Sequence, residues 1–141
     1  MENLFVEIVS PSGRVFRGEA NGVKAPGVNG SFEVLRNHAP MISAFEVGMI
    51  RVTVSTGEHI SFATSGGFLE VVNNSVSILA ETAEIGSEID LERAQTAEER
   101  AVKHLAEITD DEERKRYAAA LARARNRVRI AMGEVGTVKR I

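Results

Sequence analysis

Ile78-Leu79-Ala80-Glu81-Thr82-Ala83-Glu84-Ile85-Gly86-Ser87-Glu88-Ile89-Asp90-Leu91-Glu92-Arg93-Ala94 is the stretch on which the reading of this chain turns. Upstream of it, apolar residues tend to alternate and turn residues recur every few positions. Downstream, Gly and Pro are absent from Ser87 to Met132, and Ala, Leu, Glu and Arg dominate. Apolar spacing therefore passes from the period of a strand to that of a helix within a few residues. The expected organisation is a β domain over 1–86 and a helical domain over 87–141, joined so that the two can move relative to each other.

The β half reads outward from this junction as many short strands. Phe68–Val72 and Ser75–Ala80 flank Asn73-Asn74, which suits a two-residue hairpin because Asn tolerates positive φ. In Ile50–Ser55, Ile50, Val52 and Val54 point one way while Arg51, Thr53 and Ser55 point the other. Further strands are expected over Leu4–Ser10, Arg14–Ala20, Val23–Ala25, Ser31–Leu35, Met41–Phe45 and His59–Thr64. Turns are expected at Pro11-Ser12-Gly13, Thr56-Gly57 and Ser65-Gly66-Gly67. Asn37-His38-Ala39-Pro40 reads as a bend, since Pro40 biases Ala39 away from the helical region. Frequent turns between short strands imply an antiparallel β-sandwich or flattened barrel, with Phe68 and Val71 in its core.

Two helices follow. Ser87 or Asp90 caps the first, and Ala94, Ala97, Ala101, Leu105 and Ile108 form its apolar stripe. Thr109-Asp110-Asp111-Glu112 reads as a capping box for the second, with acids at the positive end of the helix dipole. Tyr117, Leu121, Ala124, Val128 and Ala131 form the second stripe, and Gly133 and Gly136 are expected to end the helix. The short connection makes an antiparallel hairpin, so the fold class is α+β. Ala-rich stripes let helices approach closely but bury little area, so the hairpin docks with modest energy.

Composition excludes several classes. The chain has 141 residues and a formal charge of −3. It has no Cys, and His38, His59 and His104 lack ligand spacing, so neither disulfides nor a metal site is expected. No apolar run is long enough to span a bilayer, and no signal or transit peptide is visible. There is no nucleophile–base set and no Walker motif, and Gly27/Gly30 lacks the following Lys-Ser/Thr of a phosphate loop. From Asp110 onward nine Lys/Arg face five Asp/Glu; before it, eight face fifteen. A basic tail on an acidic body suits an acidic partner or an anionic ligand, or is a solvated helix face. The overall acidity and the lone Tyr117 near the basic helix argue against nucleic acid.

Several runs together resemble the epsilon subunit of the F-type rotary ATP synthase. They are Ser65-Gly66-Gly67-Phe68-Leu69-Glu70-Val71, Asn74, and Val76 through Glu84. Asn37-His38-Ala39-Pro40-Met41 resembles that family's His-Ala-Pro bend, and Gly48-Met49-Ile50-Arg51-Val52 its following strand. Ile89-Asp90-Leu91-Glu92-Arg93-Ala94 resembles its nucleotide-binding signature. Glu33 and Arg36 stand where the family often has Gly and Pro.

The resemblance implies a non-catalytic rotor subunit of a proton-translocating enzyme. The sandwich would pack on the gamma subunit and on the ring of c-subunits, coupling rotation to the alpha/beta catalytic head. The helical hairpin would take a compact or an extended state, and the extended one would restrain ATP hydrolysis. It would do so through a basic face, for which Arg114, Lys115, Arg116, Arg123, Arg125, Arg127 and Arg129 are the candidates. By family position, the c-ring edge lies in loop 27–33 and bend 37–40, with Ser31, Glu33 and His38 as contacts. The place implied is the cytoplasmic face of a bacterial plasma membrane, reached only through the complex.

ATP, with or without magnesium, is the regulatory ligand implied. Glu84, Ile89, Asp90, Arg93, Ala94, Arg100, Arg123 and Arg127 match the family's contacting positions, including the 23-residue step from Arg100 to Arg123. Their chemistry agrees with that match. Arg93 and Arg100 share one face of the first helix, Arg123 and Arg127 one face of the second, and guanidiniums suit phosphate oxygens. Asp90 and Glu84 suit a base or ribose, and Ile89 and Ala94 an adenine wall. Ordinary helix salt bridges are the simpler use of the same arginines. A free-standing ATP-sensing module is the alternative function, and co-purification with gamma and the ring separates the two.

Overall fold

The computed structural model describes residues 3–140, with side chains through Gly133. It divides into two units, Met1–Ile85 and Gly86–Ile141.

The first unit contains seven strands: β1 Leu4–Ser10, β2 Gly13–Ala25, β3 Phe32–Leu35, β4 Met41–Val54, β5 His59–Val72, β6 Ser75–Ala80 and β7 Ala83–Ile85. Their order is β1-β6-β5-β4-β2-β3, β1 also pairs β2, and β7 pairs β5. The β1–β2 pairing joins the first strand of the run to the fifth and closes a flattened barrel, with β3 beyond the closure on β2, which leaves few free edges. Among the described residues only β1 and β6 run parallel.

Strands expected as separate pieces are continuous. Arg14–Ala20 and Val23–Ala25 are one strand, because Asn21 is a bulge between the Ala20↔Val54 and Gly22↔Thr53 pairs. The Asn21 side chain donates to the Val54 carbonyl at 3.3 Å, holding the bulge on its partner strand. Met41–Phe45 and Ile50–Ser55 are likewise joined in β4, which ends at Val54 with Ser55 already in the turn. The turn expected at Ser65-Gly66-Gly67 lies inside β5, where Gly66 and Gly67 take φ of 126° and 155°. A Cβ on Gly67 would collide with the Leu79 carbonyl and come within 2.9 Å of the Phe45 ring. The glycine thus lets β5 pass close under β6 instead of turning away.

The hairpin at Asn73-Asn74 forms as read, with φ of 48° and 65° at its two central residues. A two-residue primed turn needs both to be positive. Thr82 Oγ donates to Ser65 Oγ at 2.7 Å, and the chain then resumes as β7 against Phe62–Thr64, a strand the periodicity did not reveal.

Alternation places Leu4, Val6 and Ile8 of β1, Ile50 and Val52 of β4, Leu69 and Val71 of β5, and Val76 and Ile78 of β6 in one buried core. Phe62 is its largest fully buried side chain, and Phe16 meets it edge-on at 5.8 Å. Each such apolar side chain contributes about 1.5–3 kcal/mol. Phe68 departs from expectation: it is 59% exposed, on the outer face.

The second unit begins with a 3-10 turn, Gly86–Glu88, followed by α1 Leu91–Glu107 and α2 Asp111–Arg140. Asp90, not Ser87, is the N-cap of α1, accepting from the Arg93 N–H at 3.1 Å. Asp110 does the same for α2, accepting from the Glu113 N–H at 3.0 Å, one residue later than the expected Thr109 box. Gly133 does not end α2. It is absent from the positive-φ glycines, and no proline follows to stop the helix, which runs to Arg140 through Gly136 as well. Ala94 and Ala101 of α1 and Ala124 and Ala131 of α2 are buried, and α2 also packs on the 3-10 turn.

Gly67→Ala is expected to cost about 2–4 kcal/mol, combining backbone strain with a collision that the packed barrel resists. Gly57→Ala, at φ 93° in open space, tests strain alone and should cost about 1 kcal/mol. Urea unfolding of both variants checks this, and equal midpoints would refute the close-approach role of Gly67.

Candidate functional site

In the second unit, the start of α1 and the middle of α2 enclose a cleft of about 450 Å³ lined by Asp90, Glu92, Arg93, Thr96, Ala97, Arg100 and Arg127. Helical spacing explains the lining. Arg93, Thr96, Ala97 and Arg100 recur every three or four residues and so share one face of α1. The volume falls in the range of small-molecule sites. Three guanidiniums and two carboxylates line it, so its balance favours an anion. Asp90 already spends one oxygen on the α1 cap, and Thr96 Oγ donates to the Glu92 carbonyl at 3.0 Å.

The structure brings together four of the eight residues proposed for ATP: Asp90, Arg93, Arg100 and Arg127. Ala94 is fully buried and Ile89 is 8% exposed, and neither lines the cleft, whose apolar wall comes from Ala97. Arg123 is exposed on α2, outside the lining. Glu84 belongs to the first unit, in β7 opposite Ala63. Glu92 and Thr96 were not singled out from sequence. For Thr96 the signal available was its offset of three residues from Arg93 and four from Arg100; Glu92, one residue before Arg93, has no such helical spacing to it.

The basic residues of α2 are not equivalent. Arg114 donates from Nη1 to the Leu105 and Ile108 carbonyls at 2.8 and 2.9 Å, closing the C-terminal end of α1. Arg125 pairs with Glu98 across the hairpin at 3.3 Å. Arg116 lies over the Tyr117 ring at 5.7 Å, and Tyr117 stacks on His104 at 4.7 Å. Lys115, Arg123 and Arg129 are exposed, and Arg127 is half-buried at the cleft.

In the first unit, Ser31 and Glu33 are exposed at the start of β3, with Glu33 opposite Lys24 of β2. His38 is half-buried past the other end of β3. Its Nδ1 lies 2.8 Å from the Ala39 carbonyl, which only accepts, so Nδ1 donates. Ser31 and His38 therefore flank a four-residue strand rather than touch.

An outward face of the barrel was not anticipated. Ala44, Phe68, Leu79 and Val9 sit side by side across β4, β5, β6 and β1. Phe68 is 59%, Leu79 61% and the nearby Ile42 71% exposed. Acids bracket this row. Glu70 and Glu7 lie two residues to one side through the pairs with Ser77, and Glu46 and Glu81 lie on the other side, meeting at Gly66. Contiguous exposed apolar area rimmed by charge marks a binding surface.

Among the described residues, no group of three His, Cys, Asp or Glu is arranged to hold a metal, and no helix is long and apolar enough to cross a membrane.

Comparison with known proteins follows the same division. The family described as ATP synthase, Delta/Epsilon chain, beta-sandwich domain matches residues 3–86. The one described as ATP synthase, Delta/Epsilon chain, long alpha-helix domain matches residues 87–132. The ATP synthase epsilon chain of Salinibacter ruber is 54% identical over 144 aligned positions, covering 96% of this chain and 97% of its own. That of Syntrophomonas wolfei is 43% identical, covering 88% and 90%. Among solved structures, a chain of the Euglena gracilis mitochondrial ATP synthase assembly of OSCP, F1 and c-ring has the same fold. Its TM-score is 0.76 at 21% identity, covering 85% of this chain and 76% of that one.

Proposed function

The chain belongs to the delta/epsilon chain family of ATP synthases, central-stalk subunits of the F-type enzyme, and from that premise we propose how its two units divide the work. It is a non-catalytic rotor subunit that reaches the cytoplasmic face of a bacterial plasma membrane only through the complex. The barrel binds gamma and the c-ring, so that rotation of the ring is coupled to the alpha/beta head. The observation that carries gamma binding is the outward row Ala44–Phe68–Leu79–Val9 between two pairs of glutamates. It suits an apolar stripe on gamma flanked by basic side chains. Ser31, Glu33 and His38 serve as the c-ring edge.

The helical unit is regulatory. Lys115, Arg116, Arg123 and Arg129 of α2 are exposed and available to an acidic segment of the head, while Arg114 and Arg125 hold the hairpin itself. ATP binds at the cleft of Asp90, Arg93, Arg100 and Arg127, its phosphates on the guanidiniums. Binding only one hairpin state stabilises that state by mass action and so relieves inhibition.

Three measurements test these assignments. Phe68→Ser with Leu79→Ser removes about 3–6 kcal/mol of potential apolar burial from the face, so affinity for purified gamma should fall by at least about a hundredfold. Because both side chains are exposed, stability should hold, and unchanged affinity would remove this face from the gamma contact. Calorimetry on the whole chain should detect ATP, and Arg93→Ala or Arg127→Ala should weaken it by about tenfold or more. No heat at millimolar ATP, or equal binding by the variants, refutes the site. Exposed ion pairs contribute only about 0.2–1 kcal/mol each. Joint replacement of Lys115, Arg116, Arg123 and Arg129 by Ala should therefore raise ATP hydrolysis by the reconstituted enzyme where single changes do little. An unchanged hydrolysis rate would leave these residues as a solvated face.

A further inference from the structure

Two asparagines far apart in sequence meet at one end of the barrel. Asn37, which opens the bend after β3, has φ 65°, and Asn74, the second residue of the β5–β6 turn, also has φ 65°. The Asn37 backbone N–H donates to Asn74 Oδ1 at 2.7 Å, and Asn74 Nδ2 donates back to Asn37 Oδ1 at 3.4 Å. The Asn74 carbonyl in turn accepts from the Phe5 N–H at 2.8 Å. One residue thus ties the bend to the hairpin and to β1.

The bend lies at the surface of the first unit. Asn37, Ala39 and Pro40 are exposed, and two short-range bonds shape the bend, from the His38 N–H to the Leu35 carbonyl at 3.1 Å and from His38 Nδ1 to the Ala39 carbonyl at 2.8 Å. A segment on the surface with few apolar contacts samples many conformations unless a long-range bond selects one. The bond from Asn37 to Asn74 spans 37 residues and joins the bend to the β5–β6 turn.

We propose that Asn74 is a positioning residue for the ring contact: its side-chain amide sets the Asn37–Pro40 bend so that His38 meets the polar rim of the c-ring already ordered. The proposal rests on the reading of this bend as the ring edge. Pre-ordering a contact loop lowers the entropy cost of binding without adding a contact. The side chain therefore acts on ring affinity and not on the fold, because glycine satisfies the positive φ of the turn equally well.

The two bonds differ in length, and this gives an order among variants. Asn74→Gly keeps the turn and loses both bonds. Asn74→Asp keeps an oxygen for the Asn37 N–H and loses only the longer bond. Asn37→Gly keeps its own N–H and the positive φ, and likewise loses only the longer bond. Losing one net hydrogen bond's worth of ordering corresponds to about threefold to tenfold in affinity.

The experiment measures binding of the whole chain to purified c-ring and, separately, to purified gamma, alongside thermal melting. Asn74→Gly should bind the ring about threefold to tenfold more weakly, with gamma affinity and melting unchanged. Asn74→Asp and Asn37→Gly should lie close to the parent chain. The double variant His38→Ala, Pro40→Ala tests the underlying reading. If it weakens ring binding while Asn74→Gly does not, the positioning role is overturned and the ring-edge reading stands. If neither changes ring binding, the ring-edge reading fails and the proposal with it. If Asn74→Gly lowers melting and gamma affinity together with ring affinity, the asparagine pair is structural and the proposal is overturned.

Discussion

A missing side chain at Gly67 is the constraint on which the barrel depends. Any Cβ there would enter the Leu79 carbonyl, so β5 can lie against β6 only with glycine at this position. Because β5 is not turned aside, its fourteen residues serve three partners: β4 along the whole length, β6 with the second half and β7 with the first. The closed run of strands, and the face that carries Phe68 and Leu79, both follow from that single close approach. Gly66, at φ 126°, completes the local departure from ordinary strand geometry.

The helical unit is held on different terms. Its buried seam consists largely of alanines, which bring the helices close but remove little apolar surface from water. Much of what fixes the pair is polar and sits at the surface. Arg114 closes the end of α1, Glu98 meets Arg125, and His104 stacks on Tyr117. Such terms are individually small and partly screened by salt. A large apolar core resists rearrangement, whereas a hairpin held by small terms repacks at low cost. The two units of the chain thus differ in how firmly their parts are fixed.

Charge is divided unevenly along the chain. The acids that make the first part of the chain negative include the four glutamates beside the outward apolar row. The basic residues of α2 divide into those that hold the hairpin, one that lines the cleft, and those left at the surface. A net charge count shows the asymmetry but not this division of labour.

Features that depend on near neighbours in the chain were legible in the sequence. The change of period around Gly86, the Asn73-Asn74 hairpin, the Asp90 cap and the placing of Arg93 and Arg100 on one helical face all involve residues a few positions apart. Local backbone geometry alone sets those relations. Phe68 shows where this reasoning ends. Counting alternate residues from buried Phe62 and Thr64 puts Phe68 inside, yet Leu69 and Val71 are the buried ones. Its partner β4 makes the same switch, burying Ile50 and Val52 but also Phe45. Both strands change face together beside Gly66 and Gly67, and no period-two pattern carries across that change. Ala97 lines the cleft in place of Ala94, and Arg114 caps α1, for a related reason. Each outcome depends on where a second element lies in space, and tertiary packing alone decides that.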